Sequence, residues 1–180
     1  VTPLGLPARN IRACNARGVF DAPIGEWVIS MMINMARDLR GLIRNQDSGV
    51  WDPGAQFQQE IRGTTVGIWG YGGIGRATAR LGKALGLKVH VLTRDGVRPR
   101  DGIYCVDGVG DPAGELPDKV FLAGQRTEFL AGLDFLVIAM PLSPATKGII
   151  GADAFATLPD HAFILNPARG PIIQEQALLD

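Results

Sequence analysis

The stretch Thr64-Thr65-Val66-Gly67-Ile68-Trp69-Gly70-Tyr71-Gly72-Gly73-Ile74-Gly75-Arg76-Ala77-Thr78-Ala79-Arg80-Leu81 decides how the rest of the chain is read. It opens as a short apolar run, passes through glycines spaced G-x-G-x-x-G, and continues as a helix-forming segment. The glycine spacing alone is a weak signal, but between a strand and a helix it has a mechanism. Gly70 permits a tight turn, Gly72 lets the backbone approach a pyrophosphate, and Gly75 lets the helix pack closely on the strand. The N–H groups that begin a helix have no intrahelical partners, so with the helix dipole they favour phosphate. The loop Gly70, Tyr71, Gly72, Gly73, Ile74 and Gly75 is therefore the expected cradle for a dinucleotide. The bland alternative is a glycine-rich turn that binds nothing; the agreement of strand, spacing and helix argues against it.

Outward from this loop, short apolar runs alternate with helical segments. Strands are expected at Thr65–Trp69, Lys88–Leu92, Asp118–Leu122, Asp134–Ala139 and Ala162–Leu165. Helices are expected at Gly73–Leu85, Thr127–Ala131, Ala152–Thr157 and Ile173–Leu179. Runs such as VGIW, FLVIA and FIL are apolar throughout, as in strands covered on both faces. Alternation of this kind predicts an α/β fold, a doubly wound parallel sheet of the Rossmann dinucleotide-binding type. Upstream, the spacing of Ile24, Trp27, Val28, Met31, Met32, Met35, Leu39 and Ile43 predicts one long helix from Ala22 to about Asn45, the segment 22–46. Its first half is apolar on more than one side, so it must be buried on more than one side; a subunit interface is the expected cover, and burial within a larger monomer is the bland alternative. Residues 1–21 read as a connector, with a strand candidate at Ile11–Cys14. Residues 95–126 read as a long surface excursion rich in Gly, Pro, Asp and Arg.

The end of the second strand selects the dinucleotide. A carboxylate there would hydrogen-bond a ribose 2′-hydroxyl and favour NAD. Here the strand ends on Thr93 and is followed by Arg94, with Arg98 and Arg100 close behind. A hydroxyl beside a guanidinium suits a 2′-phosphate, which predicts NADP (NADPH) over NAD. Asp95 is the competing residue, since a small shift in register would bring its carboxylate to the ribose.

The 180 residues carry 18 Lys+Arg against 18 Asp+Glu, and 46% are hydrophobic. Zero net charge excludes a general electrostatic nucleic-acid binder and a polybasic membrane binder. The apolar content excludes disorder, and no apolar run is long enough to span a bilayer. Cys14 and Cys105 are too few for a disulfide framework or a zinc site, so no metal is expected and a cytoplasmic setting is the default. The 24 glycines are about twice the usual share. The chain starts at Val1 and stops at Asp180 inside a helix candidate, which reads as a piece of a longer protein, a domain that is C-terminally incomplete.

Four blocks, in order, give a specific resemblance. They are Cys14-Asn15-Ala16-Arg17-Gly18 with Gly25-Glu26-Trp27-Val28, then Gly63 to Gly75, then Met140-Pro141-Leu142-Ser143-Pro144-Ala145-Thr146-Lys147-Gly148, and last Asn166-Pro167-Ala168-Arg169-Gly170-Pro171-Ile172-Ile173. Through them the chain resembles the D-isomer-specific 2-hydroxyacid dehydrogenases over nearly its whole length. Thr93 followed by Arg94 looks like the NADPH-preferring glyoxylate and hydroxypyruvate reductases of that family.

The resemblance implies a coenzyme-binding domain over 22–180, a hinge from a substrate domain over 1–21, and a homodimer formed through the long helix. It implies that Met140, Pro141, Leu142 and Thr146 line the cofactor cleft and that Pro167 and Ala168 lie beside it. Arg169 would be the catalytic, substrate-holding arginine. The chemistry agrees: a 2-keto or 2-hydroxy acid presents a carboxylate next to the reacting carbon, and a planar fork of donors can hold and polarise it. The family's proton-donating His, its Glu partner and an Asp at the nicotinamide fall after Asp180. His90 and His161 match neither position and read as structural. Two rivals stand beside this reading. One is an NAD-linked phosphoglycerate or formate dehydrogenase, disfavoured by the absence of aspartate at 93. The other is a dinucleotide-sensing interaction protein like the family's corepressors.

Overall fold

Each apolar run that flanks the glycine loop becomes a strand because helices cover both of its faces. The computed structural model describes residues 11, 12, 14–54 and 58–180. Among the described residues, five strands, β1 (Thr65–Trp69), β2 (Lys88–Thr93), β3 (Lys119–Leu122), β4 (Phe135–Ile138) and β5 (Phe163–Leu165), form one all-parallel sheet in the order β3-β2-β1-β4-β5. The helices are α1 (Asp21–Ala36), α2 (Leu39–Asp47), α3 (Gly73–Ala84), α4 (Arg126–Leu130), α5 (Ala152–Phe155) and α6 (Glu175–Leu179).

Side chains alternate across the sheet with period two. Val66 and Ile68 of β1, Val89 and Val91 of β2, and Phe135 and Val137 of β4 meet Val28, Ile29 and Met32 of α1 on one face. Trp69, Leu92, Leu136 and Ile138 enter the other face with Phe129 and Leu130 of α4 and Ala154 of α5. Phe129 takes edge-on contacts from Trp69 and Phe121, at centroid separations of 6.2 and 5.7 Å. Burying each of these side chains contributes roughly 1.5–3 kcal/mol over leaving it in water. The two cores hold the sheet rigid, and β1 runs between β2 and β4. The chain therefore reverses its order outward from β1, and the carboxyl ends of β1 and β4 flank the crevice where doubly wound sheets bind ligands.

Three expectations change. The segment 22–46 is two helices, because Asp38 adopts φ +43° and its carboxylate accepts the Gly41 N–H at 3.1 Å. One residue thus ends α1 and caps α2, and its cost in backbone strain is offset by that cap. The hydrophobic spacing continues across the break, so periodicity could not reveal it. Second, the excursion 95–126 is not only surface. The strand expected at Asp118–Leu122 forms as β3 with Phe121 in the core, and the stretch before it, which reads as surface, buries Asp111. Third, Ile11, Arg12 and Cys14 carry no regular structure, and Ala13 of that strand candidate lies outside the described residues. Val28, Ile29 and Met32 of α1 are buried, while Trp27, Ile33 and Met35 remain exposed. No helix among the described residues is long and apolar enough to cross a membrane.

Candidate functional site

The glycine loop emerges from β1 at Trp69 and enters α3 at Gly73. Gly70 has φ +101°, and a side chain there would meet the backbone of Ala139 and Met140, the end of the neighbouring strand, at 2.9 Å. A Cβ at Gly75 would meet the Gly70 carbonyl at 2.5 Å and Ile68 at 3.1 Å, so the helix can approach the strand only without one. Gly72 is different, since nothing lies within 4 Å of a Cβ built there. Its lack of a side chain is not demanded by the protein's own packing, and the space suits a ligand. Gly72 is the N-cap of α3, and no side chain caps that helix end. Open donors at the start of a twelve-residue helix fit a pyrophosphate.

A cleft of about 520 Å³ opens at the carboxyl ends of β1, β2 and β4. It brings together Gly70, Tyr71, Thr93, Arg94, Met140, Pro141 and Thr146 from the expected set. Its size falls in the range of cofactor sites, roughly 300–1,000 Å³. Gly72, Gly73, Ile74, Gly75 and Leu142 adjoin it in sequence without lining it. Pro167 lines a separate depression against Pro23, Ile24 and Trp27. Thr93 carries a hydroxyl Oγ1 that is buried and has no hydrogen-bond partner. Burying such a group unpaired costs free energy, so its position at the cleft suits a polar ligand group. Arg94 is exposed at the rim, its Nε donating to Asp95 Oδ2 at 2.7 Å, and Asp95 lines the cleft too.

The other two arginines of the trio do not join the cleft. Arg98 contributes its carbonyl to Arg76 (2.5 Å), and Arg100 lies 3.8 Å from the Asp21 carboxylate. Thr146 uses its hydroxyl internally, donating to the Pro141 carbonyl at 2.7 Å and accepting the Ser143 N–H at 2.8 Å. That closes the Pro141–Thr146 loop and explains why a hydroxyl is spaced five residues after the proline. Arg169 follows β5 on the exposed surface, with Nη1 donating to the Ala168 carbonyl at 2.7 Å. Asn166 braces this turn, accepting the Ala168 N–H (3.1 Å) and donating to the Arg169 carbonyl (3.0 Å).

Neither histidine is part of the cleft. His90 lies within β2 beside Phe121, and burial, with Lys119 nearby, lowers its pKa. His161 bonds Asp134 at 3.1 Å just before β5, at the opposite end of the sheet. The sequence reading missed Arg76 and Arg126, which both line the cleft. Arg126 pairs with Asp153 and reaches the Ile149 carbonyl. A basic residue one position after the last glycine, and another opening α4, were the available signals, but neither forms a local pattern.

The sequence model described as the D-isomer specific 2-hydroxyacid dehydrogenase NAD binding domain matches residues 29–180. A hydroxypyruvate reductase of Blautia hydrogenotrophica is 28% identical over 98% of this chain and 50% of its own length. D-3-phosphoglycerate dehydrogenase 1 of Saccharomyces cerevisiae is 30% identical over 99% of this chain and 33% of its own. The crystal structure of an NADPH-dependent glyoxylate/hydroxypyruvate reductase from Sinorhizobium meliloti, in complex with NADP and sulfate, superimposes with a TM-score of 0.69 at 28% identity, covering 93% of this chain and 48% of that one. The chain thus spans half or less of the length of these relatives. With the match covering most of its residues and the sheet order and glycine loop in place, this chain belongs to the D-isomer specific 2-hydroxyacid dehydrogenase family, as its NAD-binding domain.

Proposed function

We propose that this domain serves an NADPH-preferring reductase of small 2-keto acids, of the glyoxylate/hydroxypyruvate type, working as a homodimer in the cytoplasm. The observation that carries the cofactor preference is the unpartnered buried hydroxyl of Thr93 beside Arg94 in the cleft that holds Tyr71 and Gly70. The hydroxyl and the guanidinium would hold a 2′-phosphate, where a carboxylate at position 93 would repel it. The N–H groups from Tyr71 to Ile74 would take the pyrophosphate, and Met140, Pro141 and Leu142 would flank the nicotinamide arm, with Ala168 and Pro167 nearby. When bound, the nicotinamide supplies the hydride. Arg169 would hold the substrate carboxylate and keep the carbonyl in reach, and positioning of this kind supplies much of the rate. Proton donation would fall to the histidine that the family resemblance implies.

An NAD-linked reading has one observation in its favour, the presence of Asp95 in the same cleft. The two readings separate by titrating the complete protein with NADPH and NADH. The expected result is tighter NADPH binding that Arg94→Ala abolishes; an unchanged ratio of affinities sinks the assignment. The homodimer reading rests on the exposed Met35 of α1 with Leu39 and Ile43 of α2, which line one open depression. Exposed apolar side chains gathered in this way mark an interaction surface. Sedimentation of the complete protein should give a dimer, and Ile43→Glu should shift it toward monomer; a monomeric wild type refutes the reading.

A further inference from the structure

Beneath the glycine loop lies a polar cluster that the pyrophosphate cradle described above does not use. Tyr71, between the first two loop glycines, is nearly buried, and its hydroxyl donates to Asp111 Oδ2 at 2.7 Å. The Asp111 carboxylate also accepts the N–H groups of Gly114, Glu115 and Leu116 at 3.0, 3.0 and 3.1 Å. Arg76 sits 4.8 Å over the Tyr71 ring, and its Nε donates to the Tyr71 carbonyl at 3.2 Å. Its remaining nitrogens reach the carbonyls of Asp111 and Arg98. One buried guanidinium therefore ties the loop to two points of the excursion, 35 and 22 residues away in sequence.

We infer that Arg76 and Asp111 are positioning residues for the pyrophosphate of the dinucleotide, a role that rests on the cofactor reading above. The peptide joining Tyr71 to Gly72 is planar and trans, so its carbonyl and its N–H point in opposite directions. Arg76 holds the carbonyl, which turns the Gly72 N–H away from the guanidinium at the one loop glycine with open space around it. Asp111 and the guanidinium together fix the Tyr71 ring. The Arg76 guanidinium stands beside the ionised Asp111 carboxylate, which offsets its charge, so its part is to orient the loop through its bonds to the three carbonyls. Burial opposes the Asp111 charge, but the Tyr71 hydroxyl and the three N–H groups hold its carboxyl below the ordinary carboxylate range.

The test is steady-state kinetics on the complete protein, varying dinucleotide and keto acid separately. Tyr71→Phe keeps the ring under Arg76 and removes only the bond to Asp111. It should raise the KM for the dinucleotide about five-fold, the worth of one hydrogen bond. Asp111→Asn should shift it in the same direction. Arg76→Gln should raise it more than about ten-fold, since a bond to a charged donor is lost with the charge. The KM for the keto acid should stay within about two-fold, because the energy at stake is that of the cofactor bonds. If Arg76→Gln fails to fold, Tyr71→Phe decides alone. Variants that lose thermal stability while the dinucleotide KM stays at the wild-type value overturn the inference and leave the cluster a structural brace. A parallel rise in both KM values overturns it as well. A wild type that binds neither NADPH nor NADH by titration overturns the cofactor reading itself.

Discussion

The two ends of the parallel sheet solve the same chemical problem in opposite ways. At the amino end, an aspartate stands immediately before β3 and another before β4. Asp118 Oδ2 accepts the Val89 N–H at 2.7 Å, and Asp134 Oδ2 accepts the Thr65 N–H at 2.7 Å. Each aspartate returns its own N–H to the same neighbour, at 2.7 and 3.0 Å, and pairs with a cation or imidazole outside, Lys83 for Asp118 and His161 for Asp134. The Thr65 N–H that opens β1 and the Val89 N–H near the start of β2 are thereby satisfied by the protein's own carboxylates. At the carboxyl end, the start of α3 has no side-chain cap, Gly72 faces open space, and Thr93 Oγ1 has no partner. One end stabilises the fold by closing its polar groups; the other leaves them unpaired, which costs stability and makes room for a ligand.

That contrast can be broken from either side. The largest effect belongs to the carboxyl end. Arg169→Ala in the complete protein should lower kcat/KM about 100- to 1,000-fold, as loss of a positioned charged donor does. Cofactor affinity and the urea midpoint should hardly move; a collapse of cofactor binding would make the residue structural. The mirror experiment is Asp134→Ala, which strands the Thr65 N–H. It should cost about 1–3 kcal/mol in urea unfolding, with dinucleotide affinity of the folded protein unchanged. A stability loss below a few tenths would mean that water replaces the carboxylate.

The smallest effect is on the acid side of the stability curve. Burial works against the Asp118 charge, but the Lys83 ammonium and the Val89 N–H hold its carboxyl below the ordinary value. A depressed carboxyl stabilises the fold above its unfolded pKa of about 4, and that contribution fades as pH falls through the folded value. Chemical denaturation below about pH 4 should therefore show a shallower decline for Asp118→Asn than for the wild type. Parallel declines would assign acid sensitivity elsewhere, Asp111 being the next carboxylate to test.

The amino-acid sequence made the strands β1, β2 and β4 legible because each is apolar throughout, and made the glycine loop legible because its conformational demands are local. It also made the neighbourhood of Thr93 and Arg94 legible, since Thr93 ends a readable strand and Arg94 follows it, and both line the cleft. Legibility failed where the controlling contact is distant or depends on one residue's backbone. Asp38 interrupts a helix inside an unbroken hydrophobic spacing, and nothing nearby marks it. Asp111 stands in a run of Gly, Pro and Asp that looks solvated, yet it is buried against Tyr71, forty residues earlier. Arg98 and Arg100 share a composition with Arg94, and only packing sends Arg100 to Asp21 and leaves Arg94 at the cleft.

By itself, then, the sequence determined the parallel α/β architecture, the dinucleotide loop and the family, because periodicity, glycine geometry and motif order are properties of neighbouring residues. The tertiary structure alone decided which polar groups are closed and which stay open. A hydrogen bond is satisfied or left unpaired by whatever arrives across the fold. For Tyr71, Arg76 and Asp111 that partner comes from a loop whose composition reveals no structure at all.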